Sequence, residues 1–150
     1  MSPSADDCAR ALIEVVPEVM QRIRSEIRSQ RGPELSVLQL RVLAFLNNRP
    51  GVPLSAVAEH VGLTLPSMSS QVTGLVERGL VDRAVAETDR RYVTLKLTAE
   101  GQSVMHTALQ GARINLTAML TSLSEAERNT VTQALEILRS TFSSSLVRPV

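Results

Sequence analysis

Aromatic side chains are nearly missing from this chain, which has no tryptophan, one tyrosine and two phenylalanines. A site that grips its target by stacking rings upon it has few partners here. Cysteine is as scarce: Cys8 stands alone, so no internal disulfide can form. His60 and His106 have no second histidine, cysteine or carboxylate at ligand spacing, and no metal site is expected. No apolar run approaches the ~20 residues that span a bilayer, and residues 1–10 are acidic and polar rather than signal-like. The expected location is therefore cytoplasmic, with no membrane partner. Paired catalytic carboxylates, a phosphate-cradling glycine loop and a nucleophile elbow are also absent, so no catalytic residue and no cofactor is assigned and the chain does not read as an enzyme. Charge of one sign is lacking too. The net charge is +1, which gives bulk electrostatics no means of drawing in a polyanion.

What is present is globular. Apolar residues make up 43% and charged residues 21% of 150 residues, enough for one folding unit with a real core and too little for two ordinary domains. Basic residues cluster locally. Arg22, Arg24, Arg28, Arg31 and Arg41 outnumber Glu26 and Glu34, and Arg83, Arg90, Arg91 and Lys96 face Asp82, Glu87 and Asp89.

The apolar spacing organises the chain into helices around a short hairpin. Leu12, Val16, Val19, Ile23 and Ile27 recur at steps of three and four, predicting a first helix over about 6–30, with a kink or restart at Pro17. Ser36 and Gln39 form a capping box flanked by Leu35 and Leu40, opening a second helix that buries Leu38, Val42, Leu43, Phe45 and Leu46. Pro53 suits the first turn of a short third helix ending at Val61. Gly62 can close that helix and Thr64 can cap the next, the spacing of a helix-turn-helix. The fourth helix, about 65–78, buries Met68, Val72, Leu75 and Val76 and turns Ser67, Ser70 and Thr73 outward, with Ser69 and Gln71 flanking.

Beyond Leu80 the period becomes two. Val81 and Val85, then Val93, Leu95 and Leu97, alternate with polar residues around a polar tip at 87–91, which is a hairpin. Thr98 caps a long fifth helix of about 35 Å with the stripe Met105, Leu109, Ala112, Leu116, Met119 and Leu123. Ser124 and Glu127 make another capping box for a sixth helix, expected to bury Val131, Leu135, Leu138 and Phe142.

Three stretches in this order resemble the MarR family of winged helix-turn-helix regulators: LVERGLV at 75–81; Asp89, Arg90 and Arg91 followed by Leu97, Thr98 and Gly101; and LSEAER at 123–128. The resemblance spans nearly the whole chain, and Pro17, Pro53 and Pro66 depart from the usual pattern. It implies a mainly α fold with a small β-hairpin wing, the DNA-binding lobe lying at about 36–97 and dimerisation helices at about 6–30 and 98–146 of one domain, 1–150. It also implies that Asp89 and Arg91 pair to hold the wing, and that a small-molecule effector, of which phenolic acids and lipophilic toxins are typical, releases a repressor from its operator. The effector-binding residues stay unknown.

On that reading, Ser67, Ser69, Ser70, Gln71 and Thr73 meet base edges or phosphates in a major groove, and Gln71, able to pair with adenine through two bonds, discriminates. Arg90, beside Arg91, enters a minor groove. A homodimer would read a palindromic duplex with half-sites about one helical turn apart. Each has a plainer counterpart: a solvated helix face, an exposed charged turn, helices that pack only within the chain. Two other functions compete. One is a winged-helix adaptor that binds protein rather than DNA, kept open by the near-neutral charge. The other is a thiol redox sensor, since some family members use a first-helix cysteine; Asp6 and Asp7 beside Cys8 would raise its pKa and disfavour this.

Overall fold

The computed structural model describes residues 1–32, 34–85, 89 and 92–143. Among these residues six helices and three short strands follow in the order α1 (Ala5–Ser29), α2 (Val37–Asn48), β1 (Val52–Pro53), α3 (Leu54–Val61), α4 (Leu65–Glu77), β2 (Val81–Val85), β3 (Val93–Leu97), α5 (Ala99–Leu120) and α6 (Glu125–Ser143). The fold is mainly α with a small antiparallel sheet, as expected. The chain divides into two compact units, Met1–Arg113 and Ile114–Val150.

The core of the first unit lies between α2, α3, α4 and the sheet. Val42, Leu43, Val57, Met68, Val72, Leu75 and Leu95 have no exposed surface at all. These are the positions that the apolar spacing turns to one side of each element. Leu35 and Leu40, the staple residues, are buried around the predicted capping box, in which the Gln39 N–H donates to Ser36 Oγ at 3.0 Å and the Ser36 N–H to Gln39 Oε1 at 3.2 Å.

The sheet has the order β1-β3-β2, with Val81 opposite Leu97 and Val85 opposite Val93. Its first strand was not expected. Val52 and Pro53 pair with Leu95 and Thr94, so Pro53 is an edge-strand residue and the N-cap of α3 rather than part of that helix. A proline is tolerated on an edge because its missing N–H takes nothing from the ladder on the inner side.

Pro17 neither stops nor restarts α1, which runs unbroken from Ala5 to Ser29. Its neighbours Val15, Val16 and Val19 are exposed, and water there can meet the hydrogen bond that proline leaves open. The lower end of α1 is anchored: Ile27 packs on the core, Glu26 is buried beside Arg22 at 2.9 Å, and the Gln30 side chain lies against Gly111 of α5.

One close approach locks the hairpin to α5. Thr98 Oγ1 donates to the Gly79 carbonyl at 2.6 Å and accepts from the Gly101 N–H at 3.0 Å, while the Thr98 N–H donates to the Leu80 carbonyl. A side chain at position 101 would collide with that carbonyl, so the site requires glycine.

In the second unit the predicted capping box is present, with the Ser124 N–H donating to Glu127 Oε2 at 2.7 Å and the Glu127 N–H to Ser124 Oγ at 3.3 Å. The Ser124 N–H, and after it the Ser124 hydroxyl donating to the same Oε2 at 2.8 Å, hold the Glu127 carboxyl below its usual pKa. Asp7 at the start of α1 is lowered in the same way by Ser4, whose side-chain hydroxyl is the larger cause. The expected burial along α6 is not found. Val131, Leu135 and Phe142 are exposed, Leu138 is half-buried, and no residue of α6 is buried within the chain. The period marks an apolar face on α6, and that face is exposed among the described residues.

Candidate nucleic-acid interface

The helix-turn-helix is built from local signals that agree. Gly62 ends α3 with φ +81°, a left-handed conformation that glycine adopts without a steric penalty, and its N–H donates to the Ala58 carbonyl at 2.9 Å. Two residues later Thr64 caps α4: its Oγ1 accepts from the Ser67 N–H at 3.4 Å and donates to Ser67 Oγ at 3.0 Å. Pro66 falls in the first turn, where a backbone donor is unsatisfied anyway, so it costs no helical bond. At the far end Gly79 and Leu80 donate back to the carbonyls of Val76 and Leu75, closing the helix.

This frame divides α4 into two faces. Met68, Val72 and Leu75 are completely buried, and their burial fixes the rotation of the helix. Ser67, Ser70 and Thr73 are thereby exposed, with Ser69 and Gln71 half-buried at the margins. All five predicted reading residues thus sit on one solvent-facing strip. The strip is short, hydroxylic and uncharged, able to donate and accept but offering no ionic attraction of its own. Thr73 Oγ1 donates to the Ser69 carbonyl at 2.9 Å, which fixes the direction of its hydroxyl.

Arg83 belongs to the same surface and was not among the expected reading residues. From β2 its Nη2 donates to the Ser69 carbonyl at 3.3 Å and to Thr73 Oγ1 at 3.4 Å. The signal was available in the alternation: Arg83 shares the phase of Val81 and Val85, so it stands on the face of the hairpin that turns toward the helices. At the wing, the Asp89 carbonyl accepts from the Tyr92 N–H at 2.9 Å. Arg90 and Arg91, assigned to the minor groove and to the pairing with Asp89, lie outside the described residues.

A family model described as MarR family matches residues 34–91, the stretch that carries α2 through β2. The chain belongs to the MarR family. An HTH-type transcriptional regulator of Bacillus subtilis, YfiV, is 30% identical over 105 residues, covering 70% of this chain and 66% of that protein. The transcriptional regulator Tm0710 from Thermotoga maritima superposes with a TM-score of 0.75 at 14% identity, covering 93% of this chain and 99% of that one. FabT of Streptococcus pneumoniae, solved in complex with DNA, superposes with a TM-score of 0.59 at 20% identity, covering 94% and 99%. At these identities the two structures speak for the fold, and the winged helix of this MarR-family member is that of a DNA-binding regulator.

Other expected features take plain positions. Cys8 is exposed on the first turns of α1. His60 is stacked on Phe45, ring centroids 4.4 Å apart, and Arg49 sits over the same ring at 5.4 Å. Among the described residues no three histidine, cysteine or carboxylate side chains gather as a metal site would need, and no helix is long and apolar enough to cross a membrane. A cleft of about 570 Å³ opens between the end of α2, β3 and the start of α5, with Asn47, Lys96, Gln102 and His106 around an apolar floor that includes Leu46 and Leu109.

Proposed function

We propose that the protein is a cytoplasmic homodimeric repressor that covers a palindromic operator and is released by a small-molecule effector. The observation that carries this reading is the pairing of two unlike surfaces. The outward strip of α4 is polar and uncharged, suited to hydrogen bonding in a major groove. The long helices carry apolar side chains facing water, among them Ile13 at 75%, Ile114 at 69% and Leu135 at 60% exposure. Apolar surface of that extent marks a contact with another molecule, and a second copy supplies the two-fold symmetry that a palindrome requires.

In this reading each copy places α4 in one major groove while its wing follows the backbone, Arg90 entering the adjoining minor groove and Asp89 with Arg91 bracing the wing. An effector that binds better to a spacing of the two lobes unsuited to DNA lowers affinity by that difference alone. The cleft beside Lys96 and His106 adjoins both the base of the wing and α5, and it is where we place such a molecule. The protein serves as a binder, without a catalytic residue or cofactor.

The experiment is a band shift with DNA from the region upstream of its own gene, at low salt, with and without cell extract. A shift that Gln71→Ala weakens by about 10- to 100-fold on the preferred site, and far less on unrelated duplex, is expected from loss of a bidentate base contact. Absence of any shift, with and without extract, would sink the reading. The adaptor alternative draws on the net charge of +1; it predicts no steep fall of affinity with salt, because a protein partner releases no condensed counterions.

A further inference from the structure

We propose that Arg83 is the phosphate-binding cation of the α4 face, and that Thr73 acts chiefly to aim it rather than to read a base. The assignment rests on the DNA-binding reading above and adds a residue and a division of labour to it. From Leu65 to Val76 the helix carries no charged side chain. The uncharged strip that α4 turns outward has no ionic attraction for the phosphates that line a groove, and those contacts supply much of the affinity of any duplex binder. Arg83 brings a guanidinium to this neutral surface from the neighbouring strand.

Two oxygens set its position. Thr73 Oγ1 donates to the Ser69 carbonyl at 2.9 Å, and Arg83 Nη2 reaches both of these oxygens, at 3.3 and 3.4 Å. The hydroxyl's one proton is thus spent on the helix and one of its two lone pairs on the arginine, so it has no donor left to offer a base edge. The contacts made by Nη2 are long, and a guanidinium has five N–H donors in a planar fork. Such a group is steered without being consumed, and Arg83 remains exposed. Its strand phase accounts for the reach: side chains at 81, 83 and 85 stand on one face, Val81 is buried there, and Arg83 sits two residues further out, where the core ends and the rim of α4 begins.

The test measures affinity by fluorescence anisotropy for an upstream duplex and for an unrelated one, between 50 and 200 mM salt, for wild type, Arg83→Gln, Arg83→Lys and Thr73→Val. For Arg83→Gln, the slope of log affinity against log salt falls by about 0.9, and affinity drops about fivefold near 0.15 M salt on both duplexes alike, as loss of one phosphate contact requires. Arg83→Lys, which keeps the charge and guards against a misfolded glutamine variant, retains the slope. Thr73→Val keeps the slope and the base preference while lowering affinity by less than Arg83→Gln does. An unchanged slope in Arg83→Gln overturns the proposal, and so does a change of preference at a single base pair, which would make Arg83 a base reader. A shifted base preference in Thr73→Val overturns the aiming role. If wild type binds neither duplex, the DNA reading itself falls and this assignment with it; binding by wild type with no effect at Arg83 removes the assignment alone.

Discussion

The stretch from α2 to β3 and the first and last helices, α1 and α6, all carry apolar stripes in sequence, yet they meet opposite fates. In the first, every apolar stripe has a partner: Met68, Val72 and Leu75 of α4 close against Val42, Leu43, Val57 and Leu95, and all of them are dry. In α1 and α6 the stripes are also present, but Ile13, Val16 and Val19 on one and Val131, Leu135 and Phe142 on the other remain in water. An amphipathic pattern thus reports that a face seeks cover without saying who provides it. The same pattern lies in an internal core in one region and on an exposed face in the other.

The sharpest way to break this contrast is to cut into the dry region. Met68→Ala removes a side chain with no exposed surface and should cost about 3 kcal/mol, from lost transfer energy and the cavity left behind. Urea denaturation followed by circular dichroism should show a lower midpoint, and DNA affinity should fall with it because the rotation of α4 is no longer held. A midpoint within error of wild type would mean that the core is not what fixes the reading helix.

Acting on the wet region should do the reverse. Ile13→Lys combined with Leu135→Lys leaves the lobe's core untouched and should shift the sedimenting species from dimer toward monomer, with operator affinity lowered by about 10³-fold or more as the second half-site is lost. The α-helical signal and the unfolding of the lobe should hardly change. A wild type that sediments as a single chain at all concentrations would remove dimerisation from the mechanism.

The smallest effect concerns the capping box of α6. Glu127 is held below its ordinary value of 4.5, so its contribution is present above that pH and is lost as the pH falls through the lower folded-state value. Wild type should therefore lose some α6 helicity in acid, measurable as a decline in ellipticity starting below about pH 4.5. Glu127→Gln should show little of this step, because an amide keeps one acceptor and does not titrate. An identical acid profile in the two proteins would show that the cap contributes nothing measurable.

Much of this was legible from residues alone, for a physical reason. The Ser36–Gln39 and Ser124–Glu127 boxes, the Gly62 and Gly79 stops and the Thr64 cap act within four or five residues of themselves, so their partners are adjacent in the chain. Side-chain phase is likewise local, and it put Ser67, Ser69, Ser70, Gln71 and Thr73 on one strip before any tertiary contact was known. Pro17 misled because its cost depends on whether water or protein surrounds the helix, which spacing does not reveal.

What the chain determined by itself was the order of its elements, the ends of its helices and the face each helix hides, since caps, breakers and periodicity are short-range properties of backbone and side chain. The tertiary fold alone decided the rest. The pairing of Val52 and Pro53 with Leu95 and Thr94, the seating of Gly101 on the Leu80 carbonyl and the reach of Arg83 to Ser69 and Thr73 join residues 10 to 43 positions apart. Contacts of that range exist only once the core has fixed where each element lies, and no local signal carries them.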